Sequence, residues 1–294
     1  MVASRAERGT ACHQNHRSGG KAQRRTGQGR SAAENRCALE EICEKRLYEM
    51  KEKTPCRLFV GLHQPSDAKH FNAAFVSVNR LRNRKSDFKV GDWIMDSGAF
   101  TEIATHGHYR ESVDGYVEQI ERWSKCGNML AAVSQDYMCE AWILEKTGLT
   151  IADHQRLTIE RYDAIQSKTS VYIMPVLQGF DPGDYVAHVR AYGKRLTHGM
   201  WVGVGSVCKR NGDPSAIYDV LSAIKQVRPD LRLHGFGLKT TALSDGGVFD
   251  LLHTADSMAW SYAARKQGRN ANDYREAQNF ERRILSQERQ GRFF

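Results

Sequence analysis

The sequence predicts an α/β fold: an irregular (β/α)8 TIM barrel, with a disordered basic tail before it and a C-terminal helix after it. Three observations lead there. Eight short apolar runs recur along the chain, most of them ending in a small or polar residue. The later runs alternate with amphipathic segments of helical length, the pattern of a parallel sheet covered by helices. Eight such units in roughly 240 residues match the size of a closed barrel. A doubly wound open sheet is the competitor, but no G-x-G-x-x-G follows the first run.

Residues 1–36 are rich in Arg, Gly, Ser and Gln and nearly devoid of bulky apolar side chains, so they cannot bury enough surface to offset their ordering entropy. They are predicted to be a disordered tail, and residues 37–294 the folded domain. Cys12, His13 and His16 lie in the tail without a fourth ligand at a recognisable spacing, so no metal site is predicted there. Leu39, Ile42, Cys43, Leu47 and Tyr48 recur at helical spacing, which predicts a helix over 38–52. The predicted strands are Arg57–Leu62, Ala74–Val78, Trp93–Asp96, Met129–Asp136, Val171–Gln178, Met200–Gly205, Leu231–Gly237 and Leu251–Asp256. Helices are predicted over 112–125, 151–167, 183–196, 214–227 and 257–266. The first two connections are too short for full helices, which makes the barrel irregular there. Residues 271–288 read as a C-terminal helix, polar on most faces.

No stretch approaches the ~20 apolar residues of a membrane span, and the arginine-rich N-terminus has no apolar core of a secretory signal. Seven scattered cysteines with no C-x-x-C pair argue against a disulfide framework and for a reducing cytoplasm. The net charge of +9 is uneven: residues 1–36 carry +6, residues 265–294 carry +4, and the body between them is left at −1. Basic ends supply sequence-independent attraction to phosphate, or simply solubility.

In a barrel, chemistry belongs at the C-terminal ends of the strands. Those ends read Asp96-Ser97-Gly98, Gln135-Asp136, Gln178-Gly179, Gly203-Val204-Gly205-Ser206, His234-Gly235-Phe236-Gly237 and Asp256-Ser257. A carboxylate closing a buried strand needs a partner, and glycines beside it let a flat ligand approach the backbone. A lone Asp after a strand is more often the N-cap of the next helix, and for Asp256 capping stays a live alternative. Three strands ending in Asp96, Asp136 and Asp256 are harder to explain by capping alone. Two carboxylates facing one pocket suit chemistry at an anomeric carbon, one attacking C1′ and the other moving protons. A third, with a carboxamide, suits the edge of guanine, whose N1–H and exocyclic amine are donors and whose O6 is an acceptor. Phe100 could stack on the base or belong to the core.

These segments resemble those of tRNA-guanine transglycosylases. Met95-Asp96-Ser97-Gly98-Ala99-Phe100 is similar to their Asp-Ser-Gly-Gly-Phe/Tyr-Gln segment, and Val176-Leu177-Gln178-Gly179 to their Val-Gln-Gly strand end. Val202-Gly203-Val204-Gly205-Ser206-Val207 is similar to their Gly-Gly-Leu loop, Gly235-Phe236-Gly237 to their Gly-Val-Gly, and Ala255-Asp256-Ser257 to their Phe-Asp-Cys nucleophile strand. The resemblance covers roughly residues 57–270. It implies a TIM barrel exchanging guanine for a 7-deazaguanine of the preQ0 type, with Asp256 as nucleophile and Asp96 as general acid/base. It places Asp136, Gln178 and the Gly205 region around the base, with Ser97 and Phe100 beside it; Gly179, Gly203, His234 and Gly235, at the same strand ends, are further candidate base-binding residues.

The departures matter as much. The family's C-terminal zinc site, Cys-x-Cys-x-x-Cys plus His, is missing, since no cysteine follows Cys208, so no zinc or other cofactor is expected. Ala99 and Thr101 replace a Gly and a Gln, and Ala259-Trp260-Ser261-Tyr262 stands where the family has Pro-Thr-Arg. The chain therefore looks closest to the DpdA-like (deoxypurine in DNA) branch, which modifies DNA in bacteria and their viruses. That implies DNA as partner, a cytoplasmic setting, and helper ATPases or DNA-remodelling proteins as further partners. A tRNA substrate, a non-catalytic nucleic-acid-binding barrel and an ordinary glycoside hydrolase are the alternatives. A duplex target must release its base from the stack before C1′ is reachable. Arg80, Arg82, Arg84 and Lys85, then Lys209 and Arg210, then Arg265, Lys266 and Arg269 all come after strands, so they are candidate phosphate contacts or solvated loop charge.

Overall fold

The computed structural model describes residues 56–210 and 213–290. The basic tail over 1–36 and the helix expected over 38–52 lie outside the described residues. From residue 57 onward the chain builds a parallel barrel wrapped by helices. Its elements run β1 (Arg57–Gly61), β2 (Ala73–Ser77), β3 (Asp92–Asp96), α1 (Ala99–His106), α2 (Val113–Trp123), β4 (Asn128–Val133), α3 (Ala141–Thr147) and α4 (Ile151–Gln166). They continue with β5 (Ile173–Met174), β6 (Val176–Leu177), α5 (Pro182–Tyr192), β7 (Trp201–Val204), α6 (Pro214–Val227), β8 (Arg232–Gly235), α7 (Thr240–Leu243), α8 (Gly246–Leu251), β9 (Thr254–Ser257), α9 (Ala259–Lys266) and α10 (Tyr274–Gln290).

All strand pairs are parallel, in the order β5-β4-β3-β2-β1-β9-β8-β7-β6. The two ends of that order are halves of one predicted strand. Pro175 divides it, because proline has no N–H for the ladder. The first half pairs with β4 and the second with β7, while the Pro175 carbonyl accepts from Gly203 N at 2.9 Å. The barrel thus closes through a strand that changes partner at its proline. Each of the eight predicted strands is present, with ends shifted by no more than three residues. Leu251 belongs to α8, because the Asp245 side chain accepts from Val248 N at 2.9 Å and caps that short helix.

The expected helices form with local reasons. Ser112 caps α2, Thr150 and Asp153 make a capping box on α4, and Asp213 before Pro214 starts α6. The β1–β2 and β2–β3 connections contain only short 3-10 turns, Pro65–His70 and Val78–Arg80. In α10, Ala277, Phe280 and Ile284 form an apolar stripe and bury it in the main core, which lies between sheet and helices. A second core fills the barrel interior around Phe59, Ile94, Val133, Met174 and Trp201. A third, small cluster, including Ala99, Ile103, Tyr137, Met138 and Ile143, holds α1 and α3 beside the C-terminal mouth. None of the described helices is long and apolar enough to cross a membrane.

Candidate active site

The interior apolar layer stops short of the C-terminal mouth, and above it lies a cavity of about 200 Å³. Asp96, Asp136, Gln178, Gly205 and Asp256 come from five different strand ends and line it together, with Phe100 at its edge and Phe75 and Phe236 in its wall. Glu140 joins them. Among the described residues, no Lys, Arg or His side chain lines the cavity, so four carboxylates share a space without an internal counter-charge.

Desolvation sets their acidity. Burial raises the Asp96 carboxyl to about 6, opposed by hydrogen bonds from Ser77 and from the Gly98 N–H, which reaches Oδ2 at 3.1 Å. Asp136 is raised to about 7, again chiefly by burial and further by Asp96, although the Gln178 amide donates to it. Glu140 is also raised by burial, and its Oε2 has no hydrogen-bond partner.

None of the three aspartates serves as a helix cap. Glu140 precedes α3, Met258 precedes α9, and Gly98 at φ 73° opens α1, where a Cβ would in any case strike the Asn79 amide at 2.4 Å. Asp256 is instead held by the end of the neighbouring strand, β8. Its Oδ1 accepts from Gly237 N at 2.9 Å and faces His234 Nε2 at 3.3 Å. His234 is fully buried, and its Nδ1 lies 2.8 Å from Thr254 Oγ1, which also accepts from Trp201 Nε1 at 2.7 Å. This chain fixes the orientation of the imidazole. A ring nitrogen facing a carboxylate carries a proton, so Nε2 donates to Asp256, while Nδ1 is engaged with the Thr254 hydroxyl. Among the described residues, Oδ2 of Asp256 accepts no hydrogen bond.

On the opposite side, Gln178 is oriented just as closely. Its Nε2 donates to Asp136 Oδ2, and its Oε1 accepts from Ser206 Oγ at 2.9 Å. Its backbone N–H donates to His188 Nδ1 at 2.9 Å, and its carbonyl accepts from Gln155 Nε2 at 2.8 Å. Burial pushes His188 down to about 4, so it stays neutral and can accept that bond. Gly205 has to be glycine for this amide, since a Cβ there would lie 2.1 Å from Gln178 Nε2.

The remaining expected residues fall into distinct places. Ser97, Gly179, Gly203, His234 and Gly235 are not among the residues lining the cavity. His234 supports Asp256 from below, and Gly203 makes room for Phe236, whose ring atoms would be 2.3 Å from a Cβ. Arg82 is committed to Glu102 at 3.0 Å and Glu111 at 2.9 Å, and Arg269 to Glu276 at 2.6 Å. Arg84 donates to the carbonyls of Ser86 and Asp87, and Lys85 is exposed. Arg80 reaches His63 Nδ1 at 3.4 Å, with Arg265 near the same ring. Lys209, Arg210 and Lys266 each lie against an aromatic ring, those of Phe100, Phe180 and Tyr262. Glu140 and Thr254 were not expected from the sequence: neither closes an apolar run, and only the fold brings them to the site. Among the described residues, no three His, Cys, Asp or Glu side chains converge closely enough to hold a metal ion.

Barrel and cavity together define a class, the (β/α)8 proteins with an acidic pocket at the C-terminal mouth. Within that class the chain belongs to the family of DpdA, DeoxyPurine in DNA protein A, whose pattern matches residues 54–276. No curated protein matches the chain. Family membership makes it a DNA-modifying protein of the transglycosylase type.

Proposed function

We propose that the chain exchanges guanine in DNA for a 7-deazaguanine base through a covalent bond to Asp256. The observation that carries this reading is the shared cavity of Asp96 and Asp256, with Asp136 and Gln178 beside them. Guanine leaves the stack and enters the cavity, where the ionised Asp136 accepts from N1–H and the exocyclic amine. The second hydrogen of the Gln178 amide is then available to O6. Phe100, at the cavity edge, covers one face of the base.

Asp256 Oδ2 attacks C1′ while Oδ1 stays on Gly237 N and His234 Nε2. The C1′–N9 bond breaks, its electron pair goes to the base, and Asp96 supplies the proton that neutralises it. The incoming 7-deazaguanine then gives its N9 proton to Asp96 and attacks C1′, which releases Asp256 as a carboxylate. Asp96 held near 6 can both give and take that proton at neutral pH.

The test offers radiolabelled guanine and preQ0 to the protein with DNA and, separately, with tRNA. Label should enter DNA and should not enter it with D256A. Labelling of tRNA alone would move the substrate to RNA, and undiminished exchange by D256A would remove Asp256 from the nucleophile role.

A further inference from the structure

A cavity of about 200 Å³ takes one extruded base, so the neighbours of that base must rest on the rim. One arc of the rim is built of flat rings and cations. Trp142, near the start of α3, is 44% exposed, and Phe100 on α1 is 50% exposed. Their ring centroids lie 6.2 Å apart, edge to face. Lys209 Nζ sits 4.4 Å from the Phe100 ring and 5.9 Å from that of Trp142. Next along the arc, Arg210 lies over Phe180, which is 45% exposed, with 4.8 Å from Cζ to the ring centroid.

Packing does not account for this exposure. The small cluster joining α1 and α3 is built by residues such as Ala99, Ile103, Met138 and Ile143, and Trp142 is not among its members. Single exposed apolar residues are common on any protein. Two exposed rings that meet edge to face and share Lys209, one of them lining the acidic cavity, make a continuous surface instead. Alternating aromatic faces and cations are how proteins hold nucleobases and the phosphates that link them. Phe100 lines the cavity and is used on the reacting base; Trp142 stands outside it.

We propose that Trp142 stacks on the nucleobase flanking the extruded guanosine, while Lys209 holds the phosphate between the two nucleotides. The inference rests on the DNA-exchange reading for its partner, and its test separates the two. Affinity for a fluorescein-labelled duplex containing the target guanine is measured by anisotropy, for the full chain and for W142A, W142F and K209Q. W142A should bind about 5- to 150-fold more weakly, the range of a lost base–aromatic stack. W142F should keep most of the affinity, which shows that the fold survives at this position. The W142A defect should vanish on a duplex carrying an abasic site at one of the two flanking positions. K209Q should flatten the salt dependence by about one phosphate contact. W142A within twofold of wild type, or a defect of equal size on both abasic duplexes, overturns the proposal. Trp142-dependent binding without base exchange would sink the exchange reading and leave the stacking. Robust exchange indifferent to Trp142 would do the reverse, and a chain that binds no DNA would end both.

Discussion

The two ends of the barrel treat carboxylates in opposite ways. At the N-terminal end, Asp92 accepts from Arg57 at 2.7 Å and from Asn128 at 2.7 Å, and Asp230 is bound by Arg228 at 2.7 Å. Those bonds hold both acids below their ordinary range, their cations first among the causes. At the C-terminal end, Asp96, Asp136 and Glu140 are raised by burial, with no cation lining their cavity. The N-terminal end also has the larger cavity, about 440 Å³, but Arg57, Arg232 and three aromatic rings dominate its wall. Size alone would point to the wrong end. Unpaired buried carboxylates cost stability, and a fold keeps them where a ligand completes their bonding.

That contrast can be broken in five ways. The largest effect is expected at Asp96: D96N should slow base exchange by ~10²–10⁴-fold, the usual worth of a positioned proton donor and acceptor, in single-turnover assays. D136N should raise KM for the guanine site by ~10–100-fold, since each charge-assisted hydrogen bond it loses contributes about 1.5–3 kcal/mol.

The same D136N change should stabilise the empty protein. The Asp136 carboxyl lies at about 7 in the fold against an ordinary 3.8, so the fold favours its neutral form, and the stability tied to that form is lost as pH rises through 7. Denaturant melts should show D136N more stable than wild type at pH 8, by a few kcal/mol at ~1.4 kcal/mol per pKa unit, and equal to it below pH 4. A third consequence concerns rate. Exchange needs Asp136 ionised and Asp96 protonated, so kcat/KM should be bell-shaped with its maximum between about 6 and 7, and D136N should lose the acid limb. The smallest effect belongs to the other end: D92N breaks a half-exposed pair, should cost only ~0.2–1 kcal/mol, and should leave exchange unchanged.

Much of this organisation was legible in the chain because a parallel barrel writes its strands as apolar runs. Asp96, Asp136, Gln178 and Asp256 were readable for the same reason, each standing where such a run ends. Two kinds of feature were not. The segment after Asp96 reads as a loop of small residues, yet it forms α1, because Gly98 in the left-handed region turns the strand directly into a helix. The short helices α3, α7 and α8 have too few turns to set up a period. Support groups were equally hidden: the glycines at 203 and 205 read as room for a ligand but make room for Phe236 and Gln178. Arg82 reads as a phosphate contact until Glu102 and Glu111, 20 or more residues later, are brought against it.

The claim beneath all of this is that Asp256 forms a bond to C1′ of a deoxyribose. Wild-type protein, incubated with target DNA without a replacement base, quenched in acid and digested, should yield a single DNA-linked peptide containing Asp256. An adduct on any other residue, or exchange proceeding at full rate with no adduct formed, would contradict it.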